Sequence, residues 1–279
     1  VAMLALAGLA CSLDVELPDP TIKTGPLETT SLDIPVPAEG GEVELTLSFG
    51  IGEMTLTPGA ESGLVSGVAT YNVADFKPEV STEGSIVRLE QGSLNLDGIP
   101  DFEDKIENAW TLSLGPTPML LNINAGAYSG RFELGGLALR SLEINDGASD
   151  VDVTFSTPNL VEMQLFRYNT GASTISVEGI GNANLSTFLF RGGAGSYTLD
   201  FSGALNRDLV ANIEAGVSTV KIVIPEGVPA QVTFEGAVSD VNTSGAWAQT
   251  GDSYQQTGSG PKITLIVKLS AGSLELRNK

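Results

Sequence analysis

The densest gathering of ligating side chains is the stretch NLDGIPDFED, in which Asn95, Asp97, Asp101, Glu103 and Asp104 surround Gly98. Calcium takes roughly six to eight oxygen ligands, and a glycine turn crowded with carboxylates presents them. Asp97, Asp101, Glu103 and Asp104 are therefore candidate calcium ligands; the full EF-hand spacing is absent, and the same residues also suit a solvated acidic loop. Asp150, Asp152, Asp200, Arg191 and Arg207 are the residues at comparable places that could serve polysaccharide cleavage, which needs paired carboxylates or a carboxylate beside a base. Trp110, Trp247 and Tyr254 could stack on a sugar, or cap a core. Histidine is absent and Cys11 is the lone cysteine, which removes imidazole or paired-thiolate zinc sites, histidine relays and intrachain disulfides.

Cys11 follows the apolar run VAMLALAGLA and precedes a polar stretch rich in Pro, Thr and Asp. This arrangement is similar to the end of a bacterial lipoprotein signal peptide, whose cysteine is acylated and becomes the first mature residue; Gly8 stands where leucine is usual. The expectation is export and a lipid anchor at Cys11, giving an extracytoplasmic protein held at the bacterial cell envelope. Ten apolar residues are too few to span a bilayer, which takes about 20.

The chain has 279 residues with 14 basic against 34 acidic side chains, a formal net charge of −20. Such a charge repels phosphate backbones, and the few basic residues are scattered, so nucleic acid is excluded as a partner. With 42% hydrophobic residues, 33 glycines and only 17% charged residues, the composition is that of a folded, β-rich body.

The elements that must position any site are announced by Gly126, Gly147, Gly171, Gly193 and Gly216, which fall 21, 24, 22 and 23 residues apart. Each is followed by Ala or Val and then by an alternating apolar triplet such as Val151, Val153 and Phe155, or Val220, Ile222 and Ile224. A second apolar pair precedes the next glycine: Leu142 and Ile144, Met163 and Leu165, Phe188 and Phe190. Two or three short strands use up about 22 residues in one circuit, so each repeat reads as one coil of a parallel β-solenoid; a β-sandwich is the alternative. Glycine is expected at the corner for its access to positive φ, and the small residue after it lets corner stack on corner. The organisation expected is a signal-peptide remnant over 1–10, an anchor cysteine and tether over 11–40, diverged first coils over 41–92, an acidic insertion over 93–110, and the main repeats with a C-terminal cap over 111–279. The lysines and arginine of KITLIVKLSAGSLELRNK suit a protected edge.

With the coils laid out, the chain resembles the bacterial toast-rack family of envelope β-solenoids, related to domains of cell-wall-active-antibiotic-response proteins and to adhesin head-like domains. The resemblance rests on TYNVADFKPEV (Thr70 to Val80), the Gly-Ala corners, GGAGSYTLDFSGAL (Gly192 to Leu205) and VKIVIPEGVPAQV (Val220 to Val232). It implies a right-handed parallel β-helix in an envelope setting, linked in some members to stress sensing, and it brings no catalytic residues. The expected function is a non-enzymatic binding, sensing or scaffold module, partnered by the membrane through its anchor and by an envelope protein or cell-wall polysaccharide. A polysaccharide lyase or glycoside hydrolase and an adhesin-like spacer are the alternatives.

Overall fold

The computed structural model describes residues 24–38, 41–61, 63–92, 105–236 and 240–279. Within them the protein is all-β: seventeen strands in one hydrogen-bonded sheet, two 3-10 turns at Ala74–Phe76 and Ile180–Ala183, and no α-helix. The first stretch holds β1 (Glu28–Ile34), β2 (Val43–Pro58), β3 (Val65–Tyr71), β4 (Pro78–Glu83), β5 (Ile86–Gln91) and β6 (Asn108–Leu114). The middle holds β7 (Met119–Glu133), β8 (Leu139–Asn145), β9 (Ala148–Thr154), β10 (Met163–Glu178), β11 (Leu185–Asp200) and β12 (Leu209–Ile224). The last stretch holds β13 (Ala230–Gly236), β14 (Asp240–Ser244), β15 (Ala248–Thr250), β16 (Ser253–Gln256) and β17 (Ile263–Asn278).

The middle strands stack in parallel at the spacing of the glycines. Ala127 lies opposite Ala148, Ala148 opposite Ala172, and Ala172 opposite Ala194. Alternation then sends every second side chain inward, so that equivalent positions of successive rows form columns. Leu142, Phe166, Phe188 and Ala211 make one buried column, and Val151, Ile175, Tyr197, Val220 and Leu274 another. Aromatic rings fill the centre: Phe166 and Phe188 lie 4.8 Å apart between centroids, Phe190 and Tyr197 4.9 Å.

The repeated glycines are required for a reason other than the positive φ expected from sequence. None of Gly126, Gly147, Gly171, Gly193 and Gly216 adopts it. Instead the corners pile directly on one another: a Cβ on Gly193 would stand 2.5 Å from the carbonyl oxygen of Gly171, and one on Gly216 2.7 Å from that of Gly193. At Gly193 and Gly216 a side chain is therefore excluded because the backbone of the row before occupies the space, whereas Gly147 is less tightly covered, at 3.0 Å from Gly126 O.

The two ends of the stack depart from sequence order. β2 lies between β7 on one side and β5 and β6 on the other, all in parallel. Likewise β17 lies between β12 and the pair β13 and β14. The C-terminal segment, expected to form an edge, is thus an interior row; Lys268 pairs with Glu235 of β13 at 3.2 Å, and Arg277 pairs with Glu275. Antiparallel strands close the ends instead, β3 and β4 on β6 and β5, and β16 on β13.

Between rows the chain turns through residues that satisfy backbone groups from inside. Asn159 is buried and accepts from Leu139 N–H at 2.9 Å while donating to the carbonyls of Leu139 and Val161 at 2.7 and 2.8 Å. Asn182 donates to Phe155 O and accepts from Ala204 N–H, both at 2.8 Å. Leu160, the apolar neighbour of Asn159 in the second repeat, is 63% exposed.

Candidate functional site

The stack is interrupted at its first corner. β2 pairs with β5 through Glu44–Ser48 and with β6 through Glu53–Pro58, which leaves the bend between them without a partner strand on that side among the described residues. Gln91, at the end of β5, reaches into the gap: its Oε1 accepts from Gly50 N–H and from Asn108 Nδ2, both at 2.9 Å. Asn108 Nδ2 also donates to Ile51 O at 2.7 Å. Side chains thus replace the missing main-chain ladder, and two clefts flank the bend.

The first cleft has a volume of about 700 Å³, with Phe49, Ile51 and Ala125 as apolar wall and Gln91, Asn124, Asn145 and Asp146 as polar lining. The second, about 590 Å³, lies across Ile51 and is lined by Glu53, Lys105, Glu107 and Tyr128 among others. Asn124, Asn145 and Asn169 form an amide ladder along successive rows, Asn145 donating to Asn124 at 3.1 Å and Asn169 to Asn145 at 2.7 Å.

Asp146 occupies a slot that neighbouring rows give to small or hydroxyl side chains, Ala125 before it and Thr170 after it. Its Oδ2 accepts from Tyr168 OH at 2.8 Å and from Tyr128 OH at 3.4 Å, whereas its Oδ1 is buried without a partner. Burial pushes Tyr128 and Tyr168 well above the ordinary tyrosine value, with the Asp146 charge adding to both and Tyr128 adding to Tyr168. Burial and then Asp146 raise Tyr197 also. All three hydroxyls therefore remain protonated, and two of them serve as donors to the carboxylate. Among the described residues no lysine or arginine pairs with Asp146.

Cys11 and the calcium candidates Asp97, Asp101, Glu103 and Asp104 lie outside the described residues. The described flanks of that acidic segment, Gly92 and Lys105, line the first and the second cleft. Among the described residues no three His, Cys, Asp or Glu side chains gather to hold a metal, and no helix is long and apolar enough to cross a membrane. The residues considered for sugar cleavage are tied up singly. Asp152 pairs with Arg131 at 3.2 Å, Arg191 with Glu214 at 3.3 Å, Arg207 with Glu162, and Asp200 with Lys279 at 3.2 Å. Asp150 is exposed on β9 and accepts from Arg131 only through its main-chain carbonyl, at 3.4 Å. Trp110 and Tyr254 are buried and Trp247 packs on the core, so these aromatics cap rather than present a platform. Asp146 and Gln91 were not singled out from sequence. The signal for Asp146 is a carboxylate at an inward position of an otherwise alternating run, LEIND before Gly147.

These features define an all-β protein of parallel stacked rows whose interrupted first corner opens into clefts. The chain belongs to the toast-rack family: residues 23–178, more than half its length, match the model described as the N-terminal domain of toast_rack, DUF2154. No curated protein matches it. Among solved structures it is similar to a candidate cell adhesion protein from Clostridium sporogenes ATCC 15579, with 18% identity and a TM-score of 0.47 over 91% of this chain and 99% of that one. A candidate adhesin from Bacteroides fragilis NCTC 9343 matches with 12% identity and a TM-score of 0.38, over 92% and 99% of the two chains. A candidate lipid-binding protein from Parabacteroides distasonis ATCC 8503 matches with 11% identity and a TM-score of 0.40, over 91% and 96%. At such identities and TM-scores no activity transfers.

Proposed function

We propose that the protein is a non-enzymatic binding module of the bacterial cell envelope, anchored by an acylated Cys11 and wound as a right-handed parallel β-helix, with the first-corner cleft as its binding site. One observation supports the cleft above all: among the described residues the row made by β5 and β6 breaks at the corner where β7, β10, β11 and β12 run on, and side chains of Gln91 and Asn108 substitute for the ladder there. Amide groups at the mouth and an apolar wall suit a wall polysaccharide or its attached peptides. The absence of catalysis is supported by the separate ion pairs that hold Asp152, Asp200, Arg191 and Arg207. Asp97, Asp101, Glu103 and Asp104 retain, in this reading, a calcium role.

Two measurements test the reading. Membrane fractionation of cells expressing the wild type or Cys11→Ser should move the variant into the soluble fraction; identical partitioning refutes the anchor. Co-sedimentation of the purified chain with isolated cell-wall sacculi should show retention that an Asn124→Trp substitution at the cleft mouth abolishes. Retention unchanged by that substitution removes the cleft from the function.

A further inference from the structure

Among the described residues Asp146 is the only charged side chain lining the first cleft. It accepts from two neutral tyrosine hydroxyls and, among the same residues, pairs with no cation. A partly buried carboxylate with one oxygen unpartnered holds an uncompensated field, and a cation brought within about 4–6 Å gains from it. A chain of net charge −20 concentrates cations around it as well.

The kind of cation follows from the rest of the lining. A bare divalent ion wants several carboxylates, and among the described residues no such group exists. An anion finds no basic side chain among the described residues of the cleft. What the site offers is one carboxylate, the amides of Gln91, Asn124 and Asn145, the hydroxyl of Ser48, and an apolar wall of Phe49, Ile51 and Ala125. That set fits a charged head on an uncharged stem: the ammonium meets the carboxylate and amide oxygens, and the stem covers the wall.

We propose that the first-corner cleft binds a free primary ammonium group carried on an uncharged stem, with Asp146 as its charge partner and the amides of Asn124 and Asn145 as further acceptors. This rests on the reading of the cleft as the binding site. Two sources present such a group, an amino sugar and the side-chain amine of a basic amino acid in a short peptide. They share the chemistry and differ in the stem.

The test titrates the full chain with two matched pairs, followed by ligand-observed NMR. One pair is glucosamine and N-acetylglucosamine; the other is Nα-acetyl-lysine methylamide and the same compound acetylated on Nε. In at least one pair the charged member should bind about tenfold or more tightly than its acetylated twin, and the pair that does so identifies the source. Asp146→Asn, which keeps an acceptor for Tyr168, should lose that preference, whereas Glu214→Gln, a surface carboxylate remote from the cleft, should keep it. Equal binding within both pairs, or no binding by either charged member, overturns the proposal whatever the variants do. An Asp146→Asn protein that folds and still prefers the charged member also overturns it. Retention on sacculi separates the two readings: if it depends on the cleft while the ammonium preference is missing, the cleft binds something else.

Discussion

Alanine at the stacked corners should cost stability in proportion to how closely each corner sits on the one before. A Cβ on Gly193 would lie 2.5 Å from Gly171 O, on Gly216 2.7 Å from Gly193 O, and on Gly147 3.0 Å from Gly126 O. Against an ordinary carbon–oxygen approach of about 3.3 Å the overlaps are roughly 0.8, 0.6 and 0.3 Å. The obstacle in each case is a carbonyl fixed in the neighbouring row, so relief requires lifting one corner off another against the ladders on both sides. Overpacking of this kind costs about 1–3 kcal/mol, which places Gly193→Ala near 2–3 kcal/mol, Gly147→Ala below about 1 kcal/mol and Gly216→Ala between them. Gly227 supplies the contrast, with φ of 78° and nothing within 4 Å of the place a methyl group would take. Its alanine variant meets only the left-handed backbone penalty, about 1 kcal/mol after the gain from a stiffer unfolded chain. Urea denaturation followed by far-UV circular dichroism reads all four as shifts in midpoint at constant m. If Gly193→Ala is as stable as Gly147→Ala, or if Gly227→Ala is the worst of the four, close stacking is not what selects glycine at the corners.

A chain ending at Gly260 loses β17, whose buried Ile263, Leu265, Val267, Leu269, Leu274 and Leu276 contribute on the order of 10 kcal/mol, as much as a domain's whole net stability. It should lose its cooperative thermal transition, and a truncated protein that keeps the transition refutes the interior placement of that strand. Asn159→Ala takes away the side-chain partner of the Leu139 N–H and C=O, while the Val161 carbonyl keeps the amide of Asn184, so calorimetry should show a loss of about 2–4 kcal/mol, against well under 1 kcal/mol for Leu160→Ala at the exposed neighbour. The raised Tyr128 and Tyr168 bind protons in the folded state that the unfolded chain releases above about pH 10, so stability should fall as pH rises past that value by up to about 1.4 kcal/mol per pH unit for each. Tyrosinate absorbance from these two should then appear together with loss of β-sheet circular dichroism; its appearance in a still-folded protein counts against the buried network.

Much of this architecture is written in the sequence because periodicity is a local property. The inward triplets Val151, Val153 and Phe155, and Val220, Ile222 and Ile224, all fall in the core, and the glycine spacing matches the register of the parallel rows. The reason for those glycines is less legible, since crowding by a carbonyl of the previous row exists only once the rows are stacked. The placement of β2 and β17 is not legible at all: consecutive segments are expected to be neighbours, and nothing in the alternation of VELTLSFGIGEMTL marks it for a slot beside Met119–Phe132. At the turn before β10 the buried amide of Asn159, and not the apolar Leu160 beside it, takes the inward place by virtue of the three main-chain groups it bonds. For the candidate site, Asp146 breaks the apolar pattern visibly, while the cleft itself arises from an interruption that only the pairing of β5 and β6 with β2 reveals.

Repeat proteins commonly lengthen by copying a unit at either end, because the last row needs only the one before it. Here that route is closed. A row copied after β17 finds both sides of that strand taken, by β12 and by β13 and β14, and one copied before β2 finds it flanked by β7 and by β5 and β6. Growth is confined to the interior, between β7 and β12, where each row meets only its neighbours in sequence. The same topology orders assembly of a chain emerging N-terminus first. β2 has no complete seat until residues as far as Glu133 have followed it, and β13 and β14 must wait for β17 to bridge them to β12. Length and completion are in this way both governed from the ends, which behave as clasps on a stack whose middle alone is free to vary.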